Sequence, residues 1–397
     1  MQTDFANIEN STYLYVLPGP NATCGNSDDV WKLVRLGMGA SATPVMAKIA
    51  VSDIFESATG AISGWLVHDA GELQKCDANF SGCTTVTSVS SSVEWRLQAS
   101  FDNILLDIDN QLYIYSETAN TLSPSRFTIP SGTFNTVAET DGTTVYFGNE
   151  NVLYQMPADG SANATVLQTE AAGVDIQRVT VGSNNVVYQV GTSGTGVEIK
   201  SVPKSGGTPV SLATATAGDD IFILYTKGSK VFYNIRTITV TPVYTIAPVV
   251  AGVVDEDGTN KVETANATWS GVTFKTTYNA DETVNLEALL DKTFLIEGYD
   301  IGGTSGGFAG ATVKVVDAAT ATVGATIGTL PATDNLFNFQ CYGFGDDVLC
   351  SAVVASDPVP MPPALPLQND IYFVNAATAN SLTRTTNTTD EFETPLF

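Results

Sequence analysis

The 397-residue chain carries 17 basic against 42 acidic residues, a formal charge of −25, and a single histidine. Such a charge repels phosphate backbones and anionic lipid, which excludes a nucleic-acid partner, and no apolar run of about 18 residues is present to span a membrane. Abundant Gly, Val, Thr and aromatic residues predict an all-β protein, with 283–292 as the only weak helical candidate.

The chain opens MQTDFANIENSTYLY, without the basic and apolar regions of a signal peptide. Here STYLYVLP at 11–18 reads as a strand, but DFANIEN is a poor one. One terminus is therefore expected to complete a sheet with strands from the other. From residue 30 onward a hairpin recurs: VWKLVRLGMGASATPV at 30–45, ELQKCDANFSGCTTV at 72–86, QLYIYSETANTLSPSRF at 111–127 and VLYQMPADGSANATVL at 152–167. It returns as VEIKSVPKSGGTPVSL at 197–212, TVKVVDAATATVGATIG at 312–328 and DIYFVNAATANSLTRTT at 370–386. Each copy is an alternating strand, a small polar turn and a second strand. The early interval of about 40–45 residues is the length of a four-stranded propeller blade.

Two further strand-like runs precede each hairpin, as in TFNTVAET and TTVYFGNE around Asp141-Gly142, a strong hairpin signal. The gap from 197 to 312 is too long for one blade, and KVFYNIRTITVTPVYTIAP at 230–248 fills it as a degenerate eighth copy. The expectation is one domain over 1–397, a β-propeller of four-stranded blades, eight in number, with seven as the alternative. The copy IKSVPKSGGTPVSL at 199–212 resembles bacterial propellers of the TolB-like and low-density-lipoprotein-receptor-like kind. That resemblance implies a fold and not a function.

Cysteines and interruptions come next. Cys76 and Cys83 flank one turn, and Cys341 and Cys350 another, so both pairs are expected as disulfides, with Cys24 left as a free or intermolecular thiol. Local disulfides point to an exported chain, whether secreted, periplasmic or on the cell surface. Insertions are expected at 251–291, 298–310 and 355–368, the last rich in proline. Tyr299, Phe308, Pro358, Met361 and Pro363 are the candidate contacts on these loops. In the first insertion Asp255, Asp257 and Asn260 resemble the start of a calcium loop, although Gly258 comes too early and the closing Glu is missing. No other cofactor is expected.

Catalytic chemistry is thinly represented. His68 sits in an alternating strand pattern, which favours a structural role over a triad. The pairs Asp107 and Asp109, Asp219 and Asp220, and Asp346 and Asp347 read as turn residues. The expected function is a non-catalytic extracellular or cell-surface propeller that binds a protein partner or self-assembles. The alternative is a carboxylate-dependent carbohydrate-active or other hydrolytic enzyme, assisted by calcium.

Overall fold

Runs of β-branched and aromatic residues, punctuated by Asp, Asn and Gly at turns, form strands throughout the chain. The computed structural model describes residues 3–4, 12–17, 30–35, 43–44, 50–56, 62–69, 71–77, 82–89, 93–100, 103–116, 118–129, 138–192, 195–239, 245–274, 290–298, 312–329, 335–344, 347–355, 368–375 and 383–384. Among these residues every element is a strand, and consecutive strands pair antiparallel into eight separate sheets.

The first sheet runs β1 (Thr3–Asp4), β2 (Thr12–Leu17), β3 (Val30–Arg35) and β4 (Thr43–Pro44). The second runs β5 (Ala50–Glu56), β6 (Ile62–Asp69), β7 (Glu72–Asp77) and β8 (Cys83–Ser88). In the third, β9 (Val93–Ser100), β10 (Asn103–Ile108), β11 (Gln111–Ser116) and β12 (Thr121–Leu122) are joined by β13 (Phe127–Thr128), which also pairs with β11. The fourth holds β14 (Glu139–Thr140), β15 (Thr144–Asn149), β16 (Val152–Pro157) and β17 (Thr165–Thr169). The fifth holds β18 (Asp175–Val181), β19 (Asn185–Thr192), β20 (Thr195–Pro203) and β21 (Val210–Thr214).

The sixth contains β22 (Asp219–Lys227), β23 (Lys230–Thr239), β24 (Thr245–Asp255) and β25 (Val262–Ala265). The seventh contains β26 (Ala267–Phe274), β27 (Leu290–Glu297), β28 (Thr312–Asp317) and β29 (Val323–Thr329). The eighth contains β30 (Asn335–Phe344), β31 (Asp347–Ala355), β32 (Gln368–Asn375) and β33 (Thr383–Arg384).

Alternation along the second strands explains how the sheets stack. Side chains of successive strand residues point to opposite faces. Val145 and Phe147 enter the core shared with Leu105 and Ile114 of the third sheet, whereas Tyr146 between them joins Ile176 and Tyr188 of the fifth. Likewise Val187 packs with Ile221 and Val231 of the sixth sheet, while Val186 turns back toward the fourth. Phe232 then meets Trp269 and Leu295 of the seventh, the Phe232 and Trp269 rings lying edge to face at 5.1 Å. Each such sheet is apolar on both faces, which is why VVYQV and KVFYN read as continuous apolar runs.

First strands also meet first strands: β5 touches β9, β9 touches β14, β14 touches β18, β18 touches β22, and β26 touches β30. Four-stranded sheets in chain order, stacked face to face with their first strands in succession, make a propeller-like fold.

Three expectations are corrected here. Lys230–Thr239 and Thr245–Asp255 are the second and third strands of the sixth sheet, and Val262–Ala265 is its outer strand, so 230–248 supplies no outer hairpin. The physical reason is burial, because Val231 to Ile235 are covered on both faces as only a central strand can be. The segment taken as an insertion at 251–291 contributes the end of β24, all of β25 and β26, and the start of β27, where Leu290 to Lys292 are strand rather than helix. Finally, Thr3 and Asp4 pair with Tyr15 and Leu14, so the first sheet takes its own innermost strand from the N-terminal residues.

Candidate functional site

A first strand has a neighbour on one side only, and its other edge carries backbone groups that need partners. The preceding sheet provides them. Ile223 N donates to Gln189 Oε1 at 3.2 Å, and Ile223 O accepts from Arg178 Nη1 at 2.8 Å. Trp269 N donates to Asn234 Oδ1 at 2.9 Å, and its carbonyl accepts from Asn234 Nδ2 at 3.3 Å. Hydroxyls act in the other direction, from a following sheet onto the first strand before it: Thr226 Oγ1 donates to Val181 O and Thr140 Oγ1 to Ala99 O, each at 2.7 Å. The inner rim is therefore a sealed polar seam between apolar cores.

One carboxyl in this seam stands apart. Glu139 belongs to β14, beside the capping Thr140, and faces Tyr146 across the ladder. Tyr146 is 2% exposed and belongs to the core between the fourth and fifth sheets, so Glu139 is set against low-dielectric surroundings although the residue is only partly covered. Desolvation pushes its carboxyl up to about 7, opposed only by a 3.4 Å hydrogen bond from Thr140 N. Two residues on, Asp141 is also desolvated, yet donors from Thr143, Thr144 and Lys204 hold it below the usual carboxylate range. Glu139 forms no ion pair among the described residues. A carboxyl poised near neutrality can give or take a proton at physiological pH.

The residues singled out from sequence fall elsewhere. Asp255 is bound by Lys230 Nζ at 2.6 Å and accepts from Asn260 Nδ2 at 2.6 Å. Asp257 caps its own loop, accepting from Thr259 N at 2.9 Å and Thr259 Oγ1 at 2.6 Å. Among the described residues no group of three or more His, Cys, Asp or Glu suited to a metal occurs.

Between those two aspartates, buried Glu256 accepts from Asn184 N, Asn184 Nδ2 and Asn185 N at 2.9, 2.9 and 3.1 Å, clasping the β18–β19 turn from the sixth sheet. The approach requires glycine at 182, where a Cβ would collide with Glu256 Oε2.

Two of the aspartates read as turn residues are buried strand residues instead. Asp107 is 5% exposed in β10, and Asp220 at 4% in β22 accepts from Gly196 N and pairs with Arg236 at 2.7 Å. Asp109 does sit in a turn, with φ of 54°. Cys76 and Cys83 face each other across β7 and β8 with a Cα–Cα distance of 4.0 Å and are disulfide-bonded. Cys341 stands opposite Cys350 in the β30–β31 register. His68 lies in β6. Cys24, Tyr299, Phe308, Asp346, Pro358, Met361 and Pro363 lie outside the described residues.

In sequence, no family model and no curated protein matches the chain. In backbone, it is similar to a crystal structure of the eukaryotic initiation factor at 12% identity, covering 95% of this chain and 84% of that one with a TM-score of 0.51. It is more distantly similar to oligogalacturonate lyase from Vibrio parahaemolyticus, at 8% identity over 92% of this chain and 97% of that one, TM-score 0.41. A post-proline cleaving enzyme from Rickettsia typhi matches at 11% identity over 83% of this chain, which spans 52% of that enzyme, TM-score 0.40. The solved structures that resemble this chain are mostly enzymes, and that finding corrects the expectation of a non-catalytic binding module. At these identities the likeness speaks for the fold alone and transfers no reaction or substrate.

Proposed function

We propose that the chain is a carboxylate-dependent enzyme of the hydrolytic or carbohydrate-active kind, with Glu139 as its acid–base group. One observation carries the reading: Glu139 lies on an innermost strand, where neighbouring blades converge, and desolvation there pushes its carboxyl up to about 7. Protonated, Glu139 can deliver a proton to a leaving-group oxygen or nitrogen. Ionised, it can take one from an attacking water. Its low-dielectric flank strengthens either interaction with charge that develops in the transition state. Eight blades is the count adopted, supported by eight distinct sheets in chain order, seven of four strands and one of five, and a TolB-like type is supported by the 199–212 repeat. Export from the cytosol is supported by the Cys76–Cys83 bond.

The test is to screen the purified protein against glycan and peptide substrate panels and then to measure Glu139→Gln on whatever substrate is turned over. A positioned acid or base contributes about 10²–10⁴-fold, and a loss of that size is expected in a variant that melts no lower than the parent. As a general acid, Glu139 gives a rate that falls as pH rises through about 7, whereas as a base it gives a rate that rises there. Activity undiminished in Glu139→Gln overturns the assignment.

A further inference from the structure

The Cys76–Cys83 bond is unequal at its two ends. Cys76 is 1% exposed, packed at the inner end of the pair, while Cys83 is exposed on β8, the outermost strand of its sheet. The bond closes a separation of seven residues between strands that are already in register at four other positions. Short loops gain the least from a cross-link, so the ladder and not the bond holds this hairpin. β8 is secured besides by Thr85 Oγ1, which donates to Glu72 Oε2 at 2.9 Å, and by Asn120 of the third sheet, whose Nδ2 donates to Thr84 Oγ1 at 3.3 Å.

We propose that Cys83 is a thiol-exchange site on the folded protein, open to small thiols from solvent, with Cys76 as the buried leaving group. An incoming thiolate attacks Cys83 Sγ in line with the existing bond. The new Cys83 mixed disulfide forms as the Cys76–Cys83 bond breaks, and Cys76 departs as a thiolate that takes a proton from water. No net oxidation or reduction accompanies this step, and a second thiol completes reduction to the dithiol. Attack in the opposite sense, on Cys76 Sγ, is disfavoured because Cys76 is 1% exposed whereas Cys83 is the exposed residue of the pair.

The chain's charge of −25 adds a selectivity. A cationic aminothiol such as cysteamine is drawn to this surface and anionic glutathione is repelled from it, a difference that fades as salt screens the field.

The experiment exposes the oxidised, folded protein to cysteamine or glutathione at neutral pH, quenches with acid, alkylates in urea and reads each cysteine peptide by mass spectrometry. Adducts are expected on Cys83 and not on Cys76, with cysteamine faster than glutathione by several-fold at low salt and the two rates converging at about 1 M salt. A urea-unfolded sample, in which both sulfurs are reachable, provides the reference and is expected to carry adducts on both. Native adducts divided equally between the two residues, or none on Cys83 when the unfolded sample is fully converted, would overturn the proposal.

Discussion

The inner and outer strands of the sheets face the same physical problem and treat it differently. Both are edges with unpaired backbone groups. On the inner side, Gln189, Arg178, Asn234, Thr140 and Thr226 reach from one sheet to cap the backbone of another. On the outer side, the exposed large apolar residues among those described all stand on fourth strands: Val166 and Val262 at 58%, Val323 at 48% and Val210 at 40%. Polar side chains in a low-dielectric seam are worth more, and are more costly to lose, than the same groups in water. Polar contacts between sheets are thus concentrated at the inner rim, and substitutions there are expected to cost more than those on the outer rim.

The sharpest way to break that contrast is Asn234→Leu, which removes both caps from Trp269 while preserving volume. Stability is expected to fall by about 1–3 kcal/mol in denaturant unfolding, because the buried Trp269 N–H loses its partner while the carbonyl keeps only the Thr268 hydroxyl at 3.2 Å. A loss under about 0.5 kcal/mol would show that the seam is not what holds adjacent sheets.

Glu139→Gln comes next and should act in the opposite direction. The folded carboxyl titrates at about 7, above its ordinary value of 4.5, so the unfolded chain loses this proton first as pH rises. The stability Glu139 lends is full below about 4.5 and is lost as pH climbs through about 7. A glutamine cannot ionise, so the variant should gain about 1–2 kcal/mol at pH 8 and nothing at pH 4, partial exposure keeping the figure modest. Thermal melts at the two pH values check the sign, and a pH-independent difference would place the carboxyl in an ordinary solvated setting.

Val262→Lys on the outer strand should change stability by less than about 0.5 kcal/mol, since the side chain already meets solvent. A larger loss would mean that the outer edge is covered in solution, which size measurements on the two proteins would reveal.

Much of the architecture is legible in the residues, and the misreadings share a cause. The hairpins beginning near 30, 72, 111, 152, 197, 312 and 370 are found as the third and fourth strands of their sheets, because a polar turn between alternating strands is a local signal. The 230–248 segment misled because a central strand, apolar on both faces, offers no alternation by which to place it in a sheet. Glu139 is not legible inside TFNTVAET for a similar reason: an acid at the end of a strand looks like a turn residue until its surroundings are known. At Asp255 the spacing likewise says nothing of Lys230, which reaches it from the neighbouring strand.

What the sequence by itself determined is the class of structure: strands in a repeating period, a Cys pair set to close one hairpin, and an acidity that limits partners. These follow from nearest neighbours along the chain and from composition. What only the tertiary structure decided is which carboxyl is desolvated, which side chains cap which inner strand, and which cysteine of the disulfide is buried and which exposed. Each of those depends on groups contributed by another strand or another sheet, and a dielectric environment, unlike a strand or a turn, is not encoded within any one segment.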